Sequence, residues 1–315
     1  MVNEKVLRPG GLTDVPGILV GNAENKEGRS GCTVILCPDR AVVGVDARGG
    51  SPGTLLTDMI RPGNAADTVE AIMLTGGSAF GLPAVAGVNR WLVEQGTDVP
   101  IVPAAVIYDL VYAKGTNPPD ADMAYAACRA AKKGPVVEGN VGAGAGATVG
   151  KVYGTPMKGG LGTASVQIHD GPIVSALVIV NPVGDVWDRG RILAGAQWPD
   201  GTFVDITRTF LSGAPSPLPG QPKGTTIALV ATTAKLTMAE ASRVATLAHD
   251  GMARAISPVH TQDDGDTVFC LATGSDTSKL IGDAAVTVVG TAAAVVLEQA
   301  IVRGVLAANR WRRIY

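Results

Sequence analysis

With 315 residues, 46% of them apolar and only 4% aromatic, the chain can bury one large core or two ordinary ones, built from Ala, Val, Ile and Leu. Charged residues make up 17% and the formal net charge is −2 with no sustained Lys/Arg cluster, which argues against nucleic acid as a partner. Four cysteines (Cys32, Cys37, Cys128, Cys270) do not make a disulfide scaffold in a chain this long.

The first residues, Met1 to Pro9, carry charges and no apolar segment, so no secretory signal is expected. Two strand signals follow, Cys32–Cys37 and Ala41–Asp46, separated by Pro38-Asp39-Arg40. Cys32 and Cys37 are expected on opposite faces of their strand. Glu70–Leu74 reads as another strand that stops at Gly76-Gly77. A helix is predicted from about Pro83 to Glu94, with Val85, Val88, Leu92 and Val93 along one side. A second runs from Asp120, a suitable cap, to Lys132. Gly162–Ile168 and Ile173–Val180 form a β pair turned at Asp170-Gly171-Pro172, and the second, nearly all apolar, is expected to be buried on both faces.

Ser212 to Gly224 concentrates Pro215, Pro217, Pro219 and Pro222 with Gly213 and Gly220, which excludes a helix or central strand and marks a linker over 212–224. It opens directly onto a buried-type strand, Thr226–Thr232. Thr237-Met238-Ala239-Glu240 has the form of a capping box, and its helix places Ala241, Val244, Ala245, Ala248, Met252 and Ile256 on one stripe. Thr267–Ala272 is a short strand, and an Ala/Val-rich helix runs from Asp283 to about Ala308. The lipid-like stretch Ala284–Leu297 falls short of a membrane span. The tail Arg310-Trp311-Arg312-Arg313 is basic but short. The expectation is a single mixed α/β domain over 1–315, in a cytoplasmic protein without a membrane partner.

Gly142 to Lys151 invites a phosphate-loop reading but fails its spacing: Ala145 stands where the first glycine belongs, and Val152 where Mg²⁺ needs a hydroxyl. It is read instead as glycine-lined backbone packing against a site, with Lys151 delivered at its end. The acids of Gln262-Asp263-Asp264-Gly265-Asp266-Thr267 lack the later Glu of a calcium loop. His169, His249 and His260 are not at ligand spacing, so neither a metal nor a cofactor is expected. No serine sits in a Gly-x-Ser-x-Gly elbow. What remains is Gly224-Thr225, at a linker–strand junction. Thr225 reads as an ordinary strand-starting threonine, or as the site of a self-cleaving precursor in which it becomes an N-terminal nucleophile with its own amine as base.

Several motifs occur in order along almost the whole chain. They are Gly21-Asn22-Ala23, Gly31-Cys32-Thr33-Val34, Asp46-Ala47-Arg48-Gly49-Gly50, Leu74-Thr75-Gly76-Gly77-Ser78-Ala79-Phe80-Gly81-Leu82 and Ala105-Val106-Ile107-Tyr108-Asp109. Gly144-Ala145-Gly146, Val180-Asn181-Pro182-Val183-Gly184, Thr225-Thr226-Ile227 and His260-Thr261 with Asp264-Gly265-Asp266-Thr267 complete the set. In these the chain resembles the self-processing family of L-aminopeptidase/D-esterases, which also contains β-peptidyl aminopeptidases and the nylon-oligomer (6-aminohexanoate oligomer) hydrolase.

The resemblance implies an αββα sandwich like that of the N-terminal-nucleophile hydrolases. It also implies a precursor cut into 1–224 and 225–315, and a homotetramer of cleaved pairs acting on a peptide or small-molecule amide. Carried over, Thr225 is the nucleophile, and Asn181 and Tyr108 fall on oxyanion positions. Lys151, Asp264 and Asp266 match the nylon-oligomer hydrolase branch; the aminopeptidase branch carries Ser and Glu in place of the two acids. Gly224 is a departure, because Thr-nucleophile members usually carry Asn there. Its expected use is to adopt strained φ/ψ values that expose the scissile carbonyl. Two other functions compete: an acyltransferase of the ornithine acetyltransferase type, and a non-catalytic glycine-rich binding domain.

Overall fold

The computed structural model describes residues 7–8, 10–27, 29–113, 117–214, 223–278 and 280–310. Most of the Pro/Gly linker (215–222), the first residues and Trp311-Arg312-Arg313 therefore lie outside the described residues. The chain begins with strands β1 (Leu7–Arg8), β2 (Leu19–Glu24), β3 (Gly31–Ala47), β4 (Thr54–Leu55) and β5 (Thr68–Thr75). Helix α1 (Val85–Glu94), β6 (Ala104–Val106), α2 (Leu110–Ala113) and α3 (Ala121–Ala130) follow. Next come β7 (Thr148–Val149), β8 (Met157–Lys158), β9 (Gly160–Gln167), β10 (Ile173–Val180), β11 (Asp185–Asp188), β12 (Arg191–Ala194) and α4 (Ile206–Leu211). The last elements are β13 (Ile227–Thr232), α5 (Met238–Ala255), β14 (Ile256–Ser257), β15 (Thr267–Ala272) and α6 (Gly282–Ala308).

One hydrogen-bonded ladder runs β1-β9-β10-β13-β15-β3-β5-β6-β4, with β2 also on β3. Its side chains sort into three apolar layers, which shows how the ladder folds over itself. On β10, Val174, Ala176, Val178 and Val180 face a core shared with Val244 and Ala248 of α5 and Val296 and Leu297 of α6. The alternate residues Leu177 and Ile179 enter a central core with Leu229, Phe269, Ile35 and Ile72. On β3, Cys32, Val34 and Leu36 turn the other way, toward Val88 of α1 and Ala124 and Cys128 of α3. The period of two along each strand thus feeds two cores at once, and the architecture is helix, sheet, sheet, helix. Cys32 and Cys37 do lie on opposite faces, in the outer and the central core.

β3 corrects the expected pair of strands. Cys32–Cys37 and Ala41–Asp46 form one strand of 17 residues. Pro38-Asp39-Arg40 is an exposed bulge, because β5 pairs with both sides of it: Leu36 opposes Ala71 and Ala41 opposes Val69. Arg40 takes φ 59° there and ion-pairs Glu70 at 2.5 Å. The first half of β3 pairs with β2, and the second with β15, so this strand crosses from one sheet to the other.

The capping box at Thr237 and Glu240 and the cap at Asp120 are both formed. The residues before α1 are a 3₁₀ turn, Ser78–Ala84, and Val93 is exposed rather than on the buried side. α6 reaches 27 residues, so by length and composition it exceeds the short stretch read from the sequence and passes for a membrane span. More than half of its most apolar window is buried in the fold, and it packs on β9, β10 and α5.

Candidate active site

Three neighbouring strands deliver the central residues. β10 and β13 are antiparallel with Ile179 opposite Ile227, and continuing that register puts Asn181 opposite Thr225. The Thr225 N–H accordingly donates to the Asn181 carbonyl at 2.8 Å. β13 and β15 are parallel with Ile227 opposite Thr267, which sets Gly224 beside Asp264 and Thr226 beside Asp266. Asp266 Oδ1 accepts from the Thr226 N–H at 2.7 Å. Asp264 Oδ1 accepts from the Val183 N–H at 3.0 Å, and its Oδ2 from Thr261 N and Oγ1 at 3.2 and 2.6 Å.

The glycine-rich run ends against this cluster. Gly150 N–H donates to Gly184 O at 3.1 Å and Lys151 N–H to Val183 O at 3.0 Å. The Lys151 Nζ then donates among Thr148 O (2.7 Å), Asn181 O (2.9 Å), Pro182 O (3.0 Å) and Asn181 Oδ1 (3.1 Å). Lys151 Nζ and the Thr225 N–H therefore share one acceptor, the Asn181 carbonyl. The Asn181 amide is fully buried; its Oδ1 also accepts from Thr148 N at 2.9 Å, and its Nδ2 donates to Tyr108 O at 3.2 Å. Tyr108 thus joins the cluster through its main-chain carbonyl.

Thr225 is 4% exposed, and its hydroxyl donates to the carbonyl of Gly224, the residue before it. The same carbonyl accepts from the Gly265 N–H at 3.2 Å. Gly224 is not among the positive-φ glycines, so the expected backbone strain is absent. Glycine is needed for another reason: a Cβ at 224 would overlap Asp264 Oδ1 and Val183 N. At Gly265 a Cβ would stand 2.9 Å from Thr225 Oγ1 and 2.5 Å from Ser51 O.

Arg48-Gly49-Gly50 and Asp109 stand out in the sequence only as motif members, and His260 only as a motif member at no metal-ligand spacing, yet all three brace the residues around Thr225. Arg48 N donates to Asp266 O at 3.0 Å, Gly50 N to Thr261 O at 3.1 Å and Ser51 N to Asp264 O at 2.8 Å, bracing the acidic loop. Asp109 is buried and accepts from Ser30 Oγ and Gly77 N, both at 2.7 Å. The signal was available in its type: a carboxylate on an apolar strand end needs partners.

Burial sets the electrostatics. It lowers the Lys151 amine to about 7 against the pull of Asp264, Asp266 and Asp109. It raises Asp264 to about 6, helped by the charge of Asp266 and opposed by Thr261, Val183 and Lys151. Burial also lifts Asp109 above the usual carboxylate range. For Asp264, whose ordinary value is 3.8, the folded state binds more protons between about pH 3.8 and 6. Its contribution to stability therefore falls as pH rises through that window. Asp264→Asn, in an uncut Thr225→Ala background, should remove that fall. Relative to its parent it gains up to about 3 kcal/mol between pH 4 and 7, at roughly 1.4 kcal/mol per unit. Urea unfolding at pH 4, 5, 6 and 7 checks it; parallel curves for the two proteins would refute the assignment.

Two stacked sheets between helix layers are the N-terminal-nucleophile type of hydrolase fold, and the family and relatives that the chain matches make it an amide-bond hydrolase. The chain belongs to peptidase family S58, whose model matches residues 11–314. An uncharacterized aminopeptidase of Mycobacterium leprae is 41% identical, over 95% of this chain and 90% of its own. A 6-aminohexanoate-oligomer endohydrolase of a Kocuria species is 34% identical, over 82% of this chain and 74% of its own. Among solved structures, a Burkholderia beta-aminopeptidase superposes with a TM-score of 0.70 at 26% identity, covering 95% of this chain and 87% of that one. The L-aminopeptidase D-Ala-esterase/amidase of Ochrobactrum anthropi, described as a variant of the Ntn hydrolase fold, has a TM-score of 0.70 at 24% identity, covering 95% and 86%.

Proposed function

We propose that this amide hydrolase matures by cutting its own Gly224–Thr225 bond and then uses Thr225 as its nucleophile. The observation that carries the reading is the hydrogen bond from the Thr225 hydroxyl to the Gly224 carbonyl, the group it would attack. The Gly265 N–H already donates to that oxygen and the Asn181 carbonyl holds the nitrogen that would leave. Oγ1 adds to the Gly224 carbonyl carbon, its proton passes to the Thr225 nitrogen, and the C–N bond breaks to leave an ester. Water then hydrolyses the ester, giving a carboxyl on Gly224 and a free hydroxyl and amine on Thr225.

In the mature enzyme the α-amine has a reference pKa of about 7.7–8.0 and is partly neutral near pH 7. It takes the Oγ1 proton as the oxygen attacks a substrate amide, and returns it to the leaving nitrogen. Lys151, which shares an acceptor with that nitrogen, favours the neutral amine by like-charge repulsion in its protonated form. Asp264 and Asp266 offset this charge; Asp266 fixes the Thr226 amide that follows the nucleophile, and Asp264 fixes the Val183 amide on the neighbouring strand end. Asn181 Nδ2 is assigned to the oxyanion, and Tyr108, whose main-chain carbonyl accepts from that Nδ2 and cannot itself donate, holds it in place.

The proposed substrates are 6-aminohexanoate oligomers and the amino-terminal residues of short peptides, on the strength of the two acids and the activities that name the relatives. Purified cleaved protein should hydrolyse 6-aminohexanoate oligomers, or p-nitroanilides of α- or β-amino acids, in a side-by-side panel. Hydrolysis of none of these by the cleaved protein would contradict the substrate reading while leaving the maturation step standing.

A further inference from the structure

His260 lies outside the set of residues assigned above, yet it grips one of them. The Asp266 carboxylate is 1% exposed, and its two oxygens are divided between two tasks. Oδ1 accepts from the Thr226 N–H, the peptide immediately after the nucleophile, at 2.7 Å. Oδ2 accepts from the main-chain N–H of His260 at 3.1 Å and lies 2.7 Å from its ring Nδ1. His260 takes a left-handed φ of 54°, a conformation that L side chains other than Asn and Asp seldom adopt. That conformation brings the residue's own N–H and its ring to the same carboxylate oxygen.

The ring is held from behind. His249 of α5, fully buried, meets it edge to face with centroids 4.8 Å apart. The His249 Nε2 contacts Asp46 O at 3.1 Å, and Arg48 Nε holds the Asp46 carboxylate at 2.9 Å. Arg48 N–H in turn donates to the Asp266 carbonyl at 3.0 Å. The end of β3, helix α5 and the 260–266 loop therefore converge on one carboxylate, and through it on the Thr226 peptide.

We propose that His260 is a positioning residue for both self-cleavage and amide hydrolysis: its Nδ1–H holds Asp266 so that Asp266 Oδ1 fixes the Thr226 amide and aims Thr225 Oγ1. The proposal rests on Thr225 being the nucleophile. It requires a donor at the Nδ1 position and nothing from the ring's Nε2. An asparagine side chain can place its Nδ2 where Nδ1 stood, whereas leucine fills space and donates nothing.

The test compares wild type, His260→Leu and His260→Asn as full chains, following appearance of the cleaved fragments, kcat and KM on one amide substrate, and Tm. His260→Leu should slow cleavage and lower kcat about 10- to 100-fold, with KM unchanged within about twofold. His260→Asn should recover both to within about fivefold of wild type. Wild-type rates in His260→Leu, or equal losses in the leucine and asparagine variants, would overturn the proposal. Wild-type protein that stays uncut between Gly224 and Thr225 would instead overturn the reading on which it rests.

Discussion

Thr225→Ala is expected to remain a single chain of 315 residues and to lose turnover by on the order of 10⁶-fold, the scale seen when a hydroxyl nucleophile is removed from a preorganised site. The substitution deletes Oγ1 and the γ-methyl group and leaves the main chain as it is. The Thr225 N–H to Asn181 O bond and the Gly265 N–H to Gly224 O bond are both main-chain and survive it. Folding should therefore be retained, and an unchanged Tm beside lost cleavage would place the defect in chemistry. Thr225→Ser supplies the control, because it keeps a hydroxyl and should still cut. A Thr225→Ala protein that cuts at the same bond would rule the hydroxyl out.

Asn181→Ala should lower turnover of the cleaved enzyme about 10²–10³-fold, the cost of losing one oxyanion donor. Its buried side chain also accepts from Thr148 N and Lys151 Nζ, so truncation leaves Thr148 N and Tyr108 O each short of a partner. Lys151 retains Thr148 O, Pro182 O and the Asn181 carbonyl, which limits its displacement. The unpaired groups cost about 1–3 kcal/mol each in stability, so kcat is measured on folded, cleaved material well below its Tm. Turnover equal to wild type would remove Asn181 from the oxyanion role and leave it as a structural link between β10 and the glycine-rich run.

Local signals made a good part of this fold legible. Ile173–Val180 shows its double burial in its composition, Thr237 and Glu240 announce a helix start, and the 224–226 junction stands out because a proline-rich segment meets an apolar strand. The continuity of β3 was not legible. Pro38-Asp39-Arg40 carries turn chemistry, and only the pairing of β5 on both sides of it turns the break into a bulge. Likewise, no spacing along the chain reveals that Lys151 and Thr225 share the Asn181 carbonyl, which depends on a loop entering from outside the three-strand register. The need for glycine at 224 is hidden from the sequence for a related reason. Its requirement comes from Asp264 and Val183, residues distant in sequence, and not from its own φ. In the sequence His260 shows only that it is at no metal-ligand spacing, since its pairing with Asp266 exists only once the 260–266 loop has closed.

The most direct test of the central claim is the N-terminal sequence and intact mass of the wild-type protein after purification. Two fragments are predicted, residues 1–224 and 225–315, with the smaller beginning Thr-Thr-Ile-Ala and activity appearing in step with its release. A fully active protein that runs as one uncut chain would contradict the account.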